Sequence, residues 1–114
     1  MRFLVKMSSQ DLSSASVVAS TFRFHPAAEV ELSAAADWYE ARRPGLGRQF
    51  VDAVHAKVDD IVDGPERWPL SAGTRRALMT RFPYAVVYRV AGDDVVEIVA
   101  VAHLKRRPKY WARR

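Results

Sequence analysis

The sequence predicts an α+β domain, a small antiparallel sheet with an αα-hairpin packed on one face, in the order β-α-α-β-β-β. Three observations predict it. Between Ala28 and Ile61 apolar residues recur at helical spacing, broken once by "RPGLG". From Thr74 onward the period shortens, and β-branched and aromatic residues take over. Gly64 and Pro65 stand between the two halves, and no repeat or low-complexity linker interrupts either. With 114 residues the chain is long enough for one core and too short for two.

Each element has a local cause. "TFRF", from Thr21 to Phe24, reads as a short strand. Pro26 then stands where the first turn of a helix accepts a residue without an N–H, and His25 sits at the start of that helix. Ala28, Leu32, Ala35 and Tyr39 form one stripe, with Glu29, Glu31, Asp37 and Glu40 largely off it. Past the Pro-Gly break, Leu46, Phe50, Ala53, Val54 and Ile61 repeat the spacing, so a short turn joins two antiparallel helices. "TRRALM" (Thr74 to Met79), "YAVVYRV" (Tyr84 to Val90) and "VVEIVAVAH" (Val95 to His103) read as successive strands. "AGDD" supplies the hairpin turn between the last two. The nearly unbroken apolar run of Val95 to Ala102 predicts a strand covered on both faces. Trp38, Tyr39 and Trp68 are expected to pack in the core or under loops. Residues 1–21, rich in serine with only short apolar patches, are expected to form a weakly ordered extension, leaving a single domain over 22–114.

Charge is polarised along the chain. His25 to Glu66 carries four cations and nine acids, a balance of −5, whereas Arg67 to Arg114 carries eleven cations and three acids, a balance of +8. The last stretch, "HLKRRPKYWARR", has six cations, no carboxylate and two large aromatics. Such a basic half suits an acidic partner, nucleic acid or an acidic protein segment. The chain has no cysteine, so disulfides and thiolate sites are excluded, which fits a cytoplasmic protein. No run approaches the ~18 apolar residues of a membrane span, and no membrane partner is expected. Neither metal-ligand spacing, a nucleophile elbow nor a Gly-rich phosphate loop is present, so no cofactor or metal is expected.

Four segments, "AAADWYEARRPGLGRQFVDAV", "PERWP", "RRALMTRFPYAVVYRV" and "VAVAHLKRRPKYW", together resemble the RelE/ParE superfamily of toxins from type II toxin-antitoxin modules. The resemblance runs from about Phe22 to Trp111, and "FPYAVVYRV" with "RRPKYW" is more ParE-like than RelE-like. It implies a protein that arrests growth when free, takes part in plasmid stabilisation and is neutralised by a cognate antitoxin. ParE-like members inhibit DNA gyrase without being nucleases. RelE-like members cut messenger RNA on the ribosome.

The residues bear on that choice. Metal-free RNA cleavage needs a base, an acid and cations around one phosphate. The candidates are His103 as base or acid, Arg75, Arg81 and Arg89 as clamps, with Arg76 beside them, and Tyr84 for stacking or proton transfer. RelE-like nucleases place an arginine early in the strand that here reads "YAVVYRV", where this chain has Tyr84 or Ala85. A lone histidine at a strand end is also more often bound locally than catalytic. The expectation is therefore a binding toxin that contacts gyrase through Lys105, Arg106, Arg107, Lys109 and Tyr110. Its antitoxin, carrying an acidic C-terminal segment, is expected to meet Arg75, Arg81 and Arg89. Trp111 is expected to fold back on the domain.

Overall fold

In the computed structural model, which describes residues 21–114, the chain runs β1 (Phe22–Phe24), α1 (Pro26–Arg42), α2 (Leu46–Asp63), β2 (Leu70–Ser71), β3 (Thr74–Leu78), β4 (Tyr84–Val90) and β5 (Val96–His103). The extension expected over residues 1–21 lies outside the described residues, Thr21 excepted. α1 begins where Pro26 fixes the backbone and the His25 ring accepts a hydrogen bond from the Ala27 amide at 3.0 Å. The helix turn is built by Gly45, in the left-handed region at φ +88°, and by Glu40. The Glu40 carboxylate accepts from the amides of Gly45 at 2.9 Å and Gly47 at 3.0 Å, satisfying donors that the start of α2 would leave unpaired. A Cβ on Gly47 would stand 2.5 Å from the Ala36 carbonyl oxygen, so only glycine lets the helices approach this closely. "RPGLG" is thus a turn and a helix contact at once.

The sheet order is β1-β5-β4-β3-β2. The β2–β3, β3–β4 and β4–β5 pairs are antiparallel, as expected, but β1 runs parallel to β5, giving a mixed sheet. Antiparallel direction follows from a tight hairpin, and β1 has none: two helices and three strands separate it from its partner, and side-chain pattern does not encode direction across such a crossover. β2 was not expected, because two residues are too short to show a period.

Both helices pack on one face. Ala28, Ala35, Phe50, Val54, Val58 and Ile61 meet Val86, Tyr88, Val96, Ile98 and Val101 in one buried cluster. Within it Tyr39, Phe50, Phe82 and Tyr84 form an aromatic group, with Phe50 centred 5.2 Å from Tyr39, 5.1 Å from Phe82 and 4.9 Å from Tyr84. β5 has a bulge: Val87 pairs with Ala100 and Tyr88 with Ile98, leaving Val99 without a partner across the ladder. Val99 and Ala100 therefore both belong to the opposite face, with Val87, Ala102 and Trp111. The expected coverage of β5 on both sides is what the structure shows, and the second cover is the chain's own C-terminal segment.

Candidate target interface: a basic loop tied at both ends

β5 ends at His103, and the chain turns immediately. The Leu104 amide donates to Pro83 O at 2.9 Å, the Arg106 amide to His103 O at 3.0 Å, and the Lys105 amide to His103 Nδ1 at 3.0 Å. Eight residues beyond His103, Trp111 is 8% exposed against Val87, Val99, Ala100 and Ala102, as the sequence predicts. Between these anchors Leu104 to Lys109 are all exposed. Lys105, Arg106, Arg107 and Lys109 thus form a cationic loop closed at both ends, and among the described residues none of the four has an ion-pair partner. Lys109 takes φ +61°, bending the chain back toward the sheet.

Tyr110, expected among the target contacts, is half-buried and also belongs to the clasp. Its ring lies under Arg106 at 4.0 Å and Arg114 at 5.2 Å, stacks edge-on with Trp111, and its hydroxyl is enclosed. Burial and then the neighbouring Glu31 carboxylate push that hydroxyl's pKa well above the usual tyrosine range. An aromatic between two cations offers as much apolar area to its own sheet as to a partner, and sequence pattern cannot tell these apart.

The nuclease candidates come together only in part. Tyr84 and His103 are cross-strand partners with rings 5.0 Å apart, and His103 Nδ1 is already engaged by the Lys105 amide. Arg75 pairs in register with Tyr88 and bonds Trp68 O. Arg81, in the β3–β4 loop, bonds Gln49 of α2 at 2.9 Å. Arg89, one residue from Tyr88 and so on the other face, bonds Glu97 at 2.8 Å and Arg114 O at 3.0 Å. Arg75 and Arg89 border one cleft of about 380 Å³ at the far end of the sheet; Arg81 does not. Of the three arginines expected to meet an antitoxin, Arg75 and Arg89 therefore share a cleft, and the β3–β4 loop carries Arg81 to α2. Among the described residues no three His, Asp or Glu side chains cluster as a metal site would require. No helix of the described residues is long and apolar enough to cross a membrane.

A groove of about 600 Å³ opens between α1 and the His103 end of the sheet, lined by Ala34, Trp38 and Tyr39 on one side and Tyr84, His103 and Arg106 on the other. Trp38, expected to pack in the core or under a loop, is 53% exposed here, with the Arg42 guanidinium 3.9 Å from its ring centre. It falls at i, i+4, i+8 with the exposed Val30 and Ala34, a second apolar stripe on α1. That spacing is present in the sequence, but it lies beside the buried stripe of Ala28, Leu32 and Ala35, so the two do not separate by pattern alone.

Comparisons with known proteins agree with this architecture. The family model described as "ParE toxin of type II toxin-antitoxin system, parDE" matches residues 22–108. No curated protein matches the chain. Among solved structures, the chromosomal ParDE toxin-antitoxin system of P. aeruginosa contains a chain that superposes with a TM-score of 0.66 at 18% identity, over 75% of this chain and 96% of that one. A chain of the RelBE2 toxin-antitoxin complex of Mycobacterium tuberculosis superposes with a TM-score of 0.51 at 27% identity, over 75% of this chain and 99% of that one. The β-α-α-β sheet architecture and a match that spans nearly all the described residues lead to one assignment: the chain belongs to the ParE toxin family, within the RelE/ParE superfamily of type II toxin-antitoxin toxins.

Proposed function

We propose that this toxin arrests growth in the cytoplasm by binding and inhibiting DNA gyrase, with the loop of Lys105, Arg106, Arg107 and Lys109 as its contact surface. The observation that carries the reading is the tied loop. Four exposed cations without ion-pair partners among the described residues, on a backbone fixed at both ends, form a preorganised basic surface, which lowers the ordering cost of binding. Ribosome-dependent cleavage of messenger RNA is the competing reading. It asks for a base and several cations around one phosphate, and the dispersal of Arg75, Arg81 and Arg89 away from His103 and Tyr84 weighs against it.

Neutralisation by an antitoxin with an acidic, amphipathic C-terminal segment fits the groove beside α1. Its apolar positions would cover Ala34, Trp38 and Tyr39, and its carboxylates would meet Arg42 and Arg106 at the rim.

The test is supercoiling by purified gyrase, run beside a translation extract probed for codon-dependent cleavage of messenger RNA. Wild-type protein blocks supercoiling, replacing the four loop cations with neutral residues raises the inhibitory concentration about tenfold or more, and His103→Ala stays within a few-fold. A catalytic histidine is worth ~10² to 10⁴ in rate. Cleavage in the extract that is lost in a folded His103→Ala protein overturns the gyrase reading.

A further inference from the structure

β1 is three residues long, so it covers β5 only from Val96 to Ile98. Beyond Ile98 that edge of β5 has no strand beside it among the described residues, and unpaired backbone groups there carry a cost. Two side chains meet them. Glu31 of α1 accepts from the Val101 amide at 3.0 Å, and Arg114 donates to Val99 O at 3.0 Å. The same two side chains then join each other, Arg114 to both carboxylate oxygens of Glu31 at 2.9 Å each. This is a forked, two-bond pair, and both partners are largely withdrawn from water, with side chains 19% and 14% exposed. The Glu31 hydrogen bond, against the opposing effect of burial, raises the Arg114 pKa, so the guanidinium stays charged. Arg114 also lies over the Tyr110 ring, and its main-chain oxygen accepts from Arg89.

One residue of the first helix is thus bonded to the far end of the segment whose near end is tied at His103. The basic loop lies between. We infer that Glu31 and Arg114 act as a latch that positions the loop of Lys105, Arg106, Arg107 and Lys109 for its target, Glu31 being a positioning residue that makes no target contact itself. The inference rests on the proposed role of that loop and adds what fixes its shape. An ion pair withdrawn from water is a poor source of net stability and can serve registry instead, which is the use inferred for this half-buried pair. Removing one partner leaves the other charge half-buried and unpaired, so the segment swings out to hydrate it. The loop then has to be re-ordered at each encounter, and affinity falls although no loop cation has changed.

Glu31→Gln tests this cleanly, because the amide oxygen can still accept from the Val101 amide while the charge pair is lost. Arg114→Gln approaches from the other side and leaves α1 untouched. Two quantities are read in each purified protein: the rate of trypsin cleavage after Lys105, Arg106 and Lys109, and the concentration that halves gyrase supercoiling activity. Both single variants are expected to be cleaved faster and to inhibit about tenfold more weakly, the size of a lost preorganisation of a few side chains. The double variant is expected to be no worse than either single, since both break one interaction. Unchanged cleavage in both singles overturns the latch. Faster cleavage with unchanged inhibition overturns its positioning role, and additive losses in the double variant show two separate effects instead of one. If neutralising the four cations leaves inhibition intact, the gyrase-contact reading fails instead, and cleavage alone then decides whether the latch exists.

Discussion

On its helix side the sheet buries Val86, Tyr88, Val96, Ile98 and Val101 under two helices of 17 and 18 residues. On the other side Val87, Val99, Ala100 and Ala102 are covered by one irregular segment whose main apolar contribution is Trp111. The first cover is continuous: aromatic and aliphatic side chains from several turns of both helices interlock around Phe50. The second is a strap. It is held by one indole, one forked ion pair and a few backbone bonds, and its remaining surface is cationic. The charged loop proposed to contact the target is thus carried by the strap and not by the helix pair, so its self-repulsion loads the main core little.

The comparison breaks first at Phe50. It is fully buried and touches the rings of Tyr39, Phe82 and Tyr84, so Phe50→Ala removes the centre of the aromatic group. The expected loss is about 3 to 5 kcal/mol in global unfolding, measured by urea denaturation, with a lowered yield of folded protein. Trp111→Ala is expected to cost less, about 2 kcal/mol, because the strap can lift away and hydrate where a helix-side cavity cannot collapse. Hydrogen exchange separates the two. Phe50→Ala accelerates exchange throughout α2 and β4, whereas Trp111→Ala accelerates it at Trp111 to Arg114 and leaves the α1–α2 amides protected. Equal loss of protection across the whole domain in the Trp111 variant would mean the strap is not a separate layer.

The two covers also differ in how far the sequence revealed them. Helix-side contacts come from periodic positions, so Ala28, Ala35, Phe50, Val54 and Ile61 could be placed from spacing alone. The bulge at Val99 could not, because it depends on register with β4, and an unbroken apolar run reads the same with or without it. Trp111 was legible as a large aromatic with little reason to stay in water. Its partners were not. Glu31 looked like one of several surface acids on α1, and its bond to Arg114, 83 residues away, has no local signature. The parallel β1 was hidden for the same reason. For the candidate site, the four loop cations stood out as a run without carboxylates, whereas the separation of Arg81 from Arg75 and Arg89 depends on its loop position and its bond to Gln49, 32 residues away, which has no local signature.

Acid tests the polar part of the strap side. Burial acts to raise the Glu97 pKa, but the hydrogen bond and charge of Arg89, helped by Arg23, outweigh it and hold the carboxyl below its ordinary 4.5. A carboxylate with a lowered folded-state pKa stabilises the fold above its unfolded value, and that stabilisation is lost as pH falls through the lowered one. Wild-type protein is therefore expected to exceed Glu97→Gln in unfolding free energy at pH 7, by up to about 1 kcal/mol for a partly solvated pair. The difference should shrink below about pH 4.5 and vanish once Glu97 is protonated in both states. A difference that is flat from pH 7 to pH 3 would show that the Glu97 charge is not what Arg89 uses.

The smallest effect concerns one atom. The Tyr110 hydroxyl is enclosed beside Glu31 yet has no partner at hydrogen-bonding geometry among the described residues, while the carboxylate's own oxygens are taken by Arg114 and the Val101 amide. A buried hydroxyl without a bond costs its desolvation and returns nothing, so removing it should do no harm. The ring is another matter, since it lies against Arg106 and Arg114 and beside Trp111, and a phenylalanine ring keeps those contacts. Tyr110→Phe is accordingly expected to change unfolding free energy by less than about 0.5 kcal/mol in either direction and to leave trypsin cleavage of the loop at the wild-type rate. Tyr110→Ala, which removes the ring, should speed that cleavage. If Tyr110→Phe instead costs more than about 1 kcal/mol, the hydroxyl does donate to Glu31 in solution, and the latch is a three-part network in place of a pair.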